Sequence, residues 1–155
     1  MSPTYSNKEL VWATSLQSEY QKDDVVVVKL ENRLVVKRIK FVSGDVFWVL
    51  KDDKLHWTPI PDDMVEDFKN INIWKIKKLT VPNDAFWLEG DNKQTSYDSR
   101  MYGFFNKEQI VGVLCVSRFN TNNYDISASI SRMQYLKQKG ESVTMEKFIT
   151  NVFKP

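Results

Sequence analysis

Two apolar, β-branched runs separated by a short polar break constrain this chain more than any other feature. Val25-Val26-Val27-Val28 is followed by Glu31-Asn32-Arg33, and then by Leu34-Val35-Val36-Lys37-Arg38-Ile39-Lys40-Phe41. Branched side chains suit a pleated surface, and a polar break of this length between two such runs reads as a hairpin turn. Val42-Ser43-Gly44-Asp45 closes the unit. The first run is apolar at successive positions, which fits a strand covered on both faces. Alternation along the second puts Lys37 on the face opposite Val36 and Arg38.

The remaining segments add strands to this hairpin. Leu10 to Tyr20 fits a strand followed by a turn. Phe47 to Leu50 and Leu55 to Ile60 read as partner strands around the turn Lys51-Asp52-Asp53-Lys54, and Pro59 and Pro61 exclude a central position for the second. Asp62 to Asn70 carries a short helical pattern, with Met64, Val65 and Phe68 on one face, and Ile71 to Leu79 alternates like a strand. Ile110 to Phe119 reads as a last core strand. Beyond it, Asn120 to Asp125 is a polar linker. Ile126, Ile130, Met133 and Leu136 fall at helical spacing before Gly140, and Thr144 is placed to cap a second helix striped by Met145, Phe148, Ile149 and Val152. The expected fold class is mainly β: an antiparallel core over residues 1–119, then a linker and a C-terminal helical hairpin over residues 120–155.

At 155 residues the chain is long enough for one domain with a real core. Its 22 Lys and Arg residues against 20 Asp and Glu leave +2, so charge carries no signal for nucleic acid. Cys115 is the single cysteine and cannot form an internal disulfide; its apolar run suggests a buried structural thiol. His56 is the single histidine and has no companion for a metal site, so no metal or cofactor is expected. No run approaches the ~20 apolar residues of a transmembrane helix, and no signal or transit peptide is evident.

The richest polar stretch is Gly90-Asp91-Asn92-Lys93-Gln94-Thr95-Ser96-Tyr97-Asp98-Ser99-Arg100-Met101-Tyr102-Gly103. It joins the aromatic segment Phe86-Trp87-Leu88 to the last core strand, and Asp98 and Arg100 are close enough in sequence to pair. Loops held by a rigid scaffold often carry function. The order GDN-x-x-x-S-x-DSR-x-x-G resembles the last signature box of the type I signal peptidase family, which includes the bacterial leader peptidases and the mitochondrial inner membrane proteases. Met1, Pro3 and Thr4 resemble its first box, Ser-Met-x-Pro-Thr. Asp24-Val25-Val26-Val27-Val28 resembles the second, Gly-Asp-x-Val-x-Val, with Asp23 in place of the Gly. Val36-Lys37-Arg38 with Gly44-Asp45 resembles the third. Val81-Pro82 leading to Trp87-Leu88, and Ile110 with Gly112, fit the flanking pattern, although Asn106 replaces a Pro. The resemblance covers residues 1–119.

This resemblance implies a signal-peptidase-like antiparallel β core and a Ser-Lys dyad. Lys37 takes the general-base position and Ser96 the position that orients the lysine. Arg38 is expected to pair with Asp91, and Asp98 with Arg100, as structural ties. A lysine serves as base only when neutral; apolar surroundings from Val35, Val36 and Ile39 and a neighbouring cation, Arg38, would favour that form. The nucleophilic Ser would immediately precede Met1, and Ser2, two positions further on, falls about 6.6 Å out of place along an extended backbone. The expectation that follows is a signal-peptidase-like chain without the nucleophile, serving as an inactive structural subunit of a larger mitochondrial assembly, inner-membrane-associated or in the matrix. Its protein partners would dock through the C-terminal helices and the N-terminus. The alternative is an active signal-processing serine endopeptidase, of the mitochondrial inner membrane or a bacterial equivalent, whose sequence extends before Met1 and whose partners are precursor peptides. The short interval from Asp45 to Asp91 favours the compact mitochondrial branch.

Overall fold

The computed structural model describes residues 10–15, 19–72, 75–117 and 144–149. The hairpin forms as its side chains dictate: β2 (Val25–Leu30) and β3 (Arg33–Phe41) pair antiparallel from Val25↔Arg38 to Leu30↔Arg33. The turn is Glu31-Asn32, with Glu31 at φ 53°. Around the hairpin, β1 (Leu10–Ser15), β7 (Ala85–Glu89), β8 (Phe105–Asn106), β9 (Ile110–Ser117) and β10 (Thr144–Ile149) complete a sheet of order β10-β1-β9-β2-β3-β7-β8. All its pairings are antiparallel. A second sheet, order β5-β4-β6, comprises β4 (Val46–Lys51), β5 (Trp57–Ile60) and β6 (Ile76–Thr80), with α1 (Val65–Asn72) between its last two strands. The short interval noted in the sequence therefore holds a small lobe of its own. Pro59 lies in the edge strand β5, where the missing N–H does not interrupt a ladder on both sides.

Two apolar clusters meet at β7, all five residues of which are buried. Leu88 faces the first cluster with Val26, Val28, Ile39, Phe105, Ile110 and Val113. Trp87 faces the second with Phe47, Val49, Val81 and Ala85, which ties the small lobe to the main sheet. Phe47 stacks on Phe41 at 3.8 Å between centroids and meets Trp87 edge-on at 5.2 Å.

Two expectations need correction, and one departure from the family's boxes is explained. Residues 144–149 form a strand rather than the second helix of a hairpin: all six pair antiparallel with β1, from Leu10↔Ile149 to Ser15↔Thr144. A segment this short has little helical stability of its own, and the open edge of β1 offers its backbone a ladder. The first proposed tail helix and the linker lie outside the described residues. The strand expected from Ile71 begins only at Ile76, because α1 runs on to Asn72. Finally, Asp23 in place of glycine does not spoil the turn before β2. It takes φ 68°, its N–H donates to the Ile39 carbonyl at 2.8 Å, and its carboxylate meets Lys40 at 3.2 Å. Asp is among the residues that tolerate this left-handed geometry.

Leu88→Ala is therefore expected to cost about 2–5 kcal/mol in urea denaturation, since it empties space in a fully buried strand. Asp23→Gly is expected to change stability by less than about 1 kcal/mol, because relief of the left-handed backbone offsets an exposed ion pair and added chain entropy.

Candidate active site

Lys37 lies in the middle of β3 on the face shared with Val35 and Ile39, opposite Val26 of β2. Only 7 % of it is exposed. Its Nζ donates to Ser96 Oγ at 2.8 Å, across 59 residues of sequence. Burial pulls the Lys37 ammonium below the ordinary lysine pKa; Asp98 and Asp91 oppose the shift and Arg100 assists it. The assisting cation is thus Arg100, not the sequence neighbour Arg38. Arg38 points to the other face and grips Asp91 through Nε at 3.0 Å and Nη2 at 3.1 Å, while Nη1 donates to the Asp23 carbonyl at 3.1 Å.

The loop that delivers Ser96 is built on Asp98. This carboxylate is fully buried and caps α2 (Ser99–Tyr102), a short helix that sequence periodicity did not reveal. It accepts from Gly90 N–H at 2.9 Å, and from Arg100 Nε at 2.9 Å and Nη2 at 2.8 Å. Burial pushes the Asp98 carboxyl up, but hydrogen bonds from Arg100, Gly90 and Ser96 and the charge of Arg100 outweigh it and hold the pKa below the usual range. The same pairing raises the Arg100 guanidinium further. Arg100 Nη1 also donates to the Lys93 carbonyl at 2.9 Å, which fastens the middle of the loop.

The hydrogen-bond directions matter chemically. In the Lys37–Ser96 contact the amine is the donor and the hydroxyl oxygen the acceptor. A neutral Lys37 would then spend one N–H on Ser96 and keep its lone pair for a proton from elsewhere.

Three further residues shape the site. The Leu88 N–H donates to the buried Ser99 Oγ at 2.8 Å, which pins α2 to β7. Glu89 is buried and accepts from Trp87 Nε1 at 2.9 Å. At Gly90 an added Cβ would overlap the Ser96 side chain and stand 3.5 Å from Lys37 Nζ, so the missing side chain is the seat of the serine. The glycine was visible in the sequence, but only as a flexible loop end; its packing role needs the fold. Among the other residues singled out, His56 lies in the small lobe with Nδ1 3.7 Å from Asp52 Oδ2. Cys115 lies in β9, and Met1 and Ser2 are outside the described residues. Among the described residues no group of three or more His, Cys, Asp or Glu side chains could hold a metal.

The site is thus a desolvated lysine seated on a serine hydroxyl within an antiparallel β core. Residues 1–118 match the family described as signal peptidase, peptidase S26, and the chain belongs to that family. It is 30% identical over 127 residues to signal peptidase I of Bacillus amyloliquefaciens, covering 72% of this chain and 67% of the relative. It is 35% identical over 106 residues to mitochondrial inner membrane protease subunit 1 of Mus musculus, covering 66% of this chain. The match spans about half of that mitochondrial relative, 54% of its length. A crystal structure of a signal peptidase I from Enterococcus faecalis aligns with a TM-score of 0.41 at 22% identity, over 63% of this chain and 97% of the other.

Two substitutions test the geometry. Gly90→Ala is expected to displace Ser96 and break its contact with Lys37, read as a shifted titration of the lysine ε-carbon by NMR. Lys37→Met is expected to raise stability at neutral pH. The unfolded lysine holds its proton up to about 10.5, whereas the folded one releases it earlier. The cost of burying the ammonium is therefore complete below the lowered pKa and fades as pH rises toward 10.5. The advantage of the methionine variant in urea melts should shrink over that window.

Proposed function

We propose that this chain forms the catalytic β core of a membrane-associated serine endopeptidase that removes signal or presequence segments from precursor proteins. Lys37 is the general base and Ser96 the hydroxyl that orients it. The observation that carries the proposal is the 2.8 Å contact between a buried lysine of lowered pKa and the Ser96 hydroxyl. The relatives add support. Signal peptidase I and mitochondrial inner membrane protease subunit 1 bear the names of a peptidase and a protease subunit. By the family's first box, the nucleophilic serine would stand directly before the position of Met1, and the proposal requires it there.

The steps assigned to this chain are proton transfers. Neutral Lys37 takes the serine proton as the serine oxygen bonds to the scissile carbonyl carbon. The ammonium then returns that proton to the departing amine as the C–N bond breaks. Water hydrolyses the ester, with Lys37 again accepting and returning a proton. Ser96 keeps the amine aimed throughout, because its hydrogen bond to Lys37 does not use the lone pair.

The test expresses the natural reading frame from upstream of Met1 and follows cleavage of a precursor peptide with small residues at its cut site. Cleavage lost by at least ~100-fold in Lys37→Ala is expected, in line with the usual contribution of a positioned base. The kcat/KM should fall on the acid side as Lys37 gains its proton, with a midpoint below the ordinary lysine value. An upstream frame that lacks the serine, or turnover that survives Lys37→Ala, would overturn the proposal and favour a subunit that contributes only its fold to an assembly.

A further inference from the structure

Among the described residues the buried polar or charged side chains are Lys37, Glu89, Asp98, Ser99 and Arg100. Four of them form or hold the lysine–serine contact. Glu89, only 6% exposed, stands outside those bonds. A carboxylate in such a place must be compensated within the protein. Its hydrogen bond from Trp87 Nε1, at 2.9 Å, comes from a neutral donor.

The backbone fixes where Glu89 sits. Its two neighbours in β7 and just beyond turn their N–H groups to the start of α2. Leu88 donates to Ser99 Oγ at 2.8 Å and Gly90 to Asp98 Oδ2 at 2.9 Å. The helix start thus replaces a partner strand where β8, paired only with Ala85 and Phe86, has stopped. Across the other edge, Glu89 is the Cα partner of Arg38. It therefore lies between the two arginines that hold the loop: Arg38 grips Asp91, and Arg100 grips Asp98. Alternation sets Glu89 with Trp87 on the lobe side of the sheet, and Lys37 on the other face with Ile39 and Leu88. The next residue, Gly90, stands beside the Lys37 amine, 3.5 Å from an added Cβ. The carboxylate is thus behind the lysine, across one thickness of sheet.

Buried charges so placed act on each other with little screening by water. The Arg100 guanidinium feels Glu89 as well as Asp98 and Asp52. Lys37 feels Asp98, Arg100 and Asp91. The charged groups around both positions are Arg38 from β3, Asp91, Asp98 and Arg100 from the loop and α2, and Asp52 from the β4–β5 turn. We propose that Glu89 is a positioning residue that acts on Lys37 from the opposite face of the sheet: its carboxylate steadies Arg100 against Asp98 and offsets the guanidinium's charge at the lysine. The amine then keeps enough basicity to take a proton, since a base depressed too far transfers protons poorly. The importance of Glu89 for cleavage rests on Lys37 being the base; the coupling of the two charges does not.

The purified chain is made with carbon-13-labelled lysine, and the Lys37 ε-carbon is followed through a pH titration by NMR, with Lys37→Met to assign the signal. Glu89→Gln keeps an oxygen for the Trp87 indole and removes the charge. Its Lys37 midpoint is expected below that of the wild-type chain, because losing an anion disfavours the ammonium, while the indole N–H resonance stays in place. Glu89→Asp keeps the charge on a shorter arm. The indole resonance should then move, and the lysine midpoint should stay nearer to wild type than in Glu89→Gln. Glu89→Met is the second neutral variant, since an apolar side chain of similar length suits a buried position. In a chain that cleaves, the acid limb of kcat/KM should move with the midpoint. A chain that does not cleave still gives the titration, so the peptidase reading and the role of Glu89 fail separately. An unchanged or raised midpoint in the neutral variants, an equal shift in Glu89→Asp, or loss of the fold in both neutral variants would overturn this role.

Discussion

Asp98 is a carboxylate without solvent exposure, and a buried charge must find all its partners within the protein. It draws in the Gly90 N–H, the Arg100 side chain and the Ser96 hydroxyl. Each partner does something else as well. Gly90 follows β7 and leaves room for Ser96; Arg100 fastens the loop at Lys93; Ser96 receives the lysine. The lysine, the loop and the short helix are therefore consequences of satisfying one carboxylate. The Arg38–Asp91 pair performs the corresponding service at the start of the loop, where it joins the loop to β3 and to the turn at Asp23. Ion pairs of this kind specify one geometry more than they add stability, since the desolvation of both charges offsets most of their attraction.

Much of the main sheet was legible in the sequence because its residues state their preferences locally. The valine run, the polar break and the return strand left little choice but a hairpin, and the pattern around Pro59 marked an edge. What escaped were features decided by partners far along the chain. Residues 144–149 carry a stripe that reads as helical, yet the vacant edge of β1 takes them as a strand. The cation beside Lys37 could not be chosen from proximity in sequence, because alternation turns Arg38 away and the fold brings Arg100 across. Gly90 marked only the start of the polar stretch and is a packing position. Ser99 stood in the sequence only as the middle letter of Asp98-Ser99-Arg100, and its role as acceptor of a strand N–H appears only in the fold.

The small lobe shows how an insertion can be attached without loosening a site. Trp87 faces the lobe, while its neighbour Leu88 faces the main core, so one strand serves both. The β4–β5 turn then comes back toward α2, and Asp52 adds to the charge felt by Arg100. The lobe is thus bound both to the back of β7 and to the loop that β7 feeds.

The strand order also has a temporal meaning. β1, near the beginning of the chain, finds its neighbours only in β9 and β10, and the lysine waits 59 residues for its serine. A polypeptide emerging in order from a ribosome or a translocation pore cannot close this sheet piece by piece. Until the later strands arrive, Lys37 is an ordinary hydrated cation. Its lowered pKa depends on partners as far along as Asp98 and Arg100, so a lysine in β3 acquires it only after the chain has run through α2.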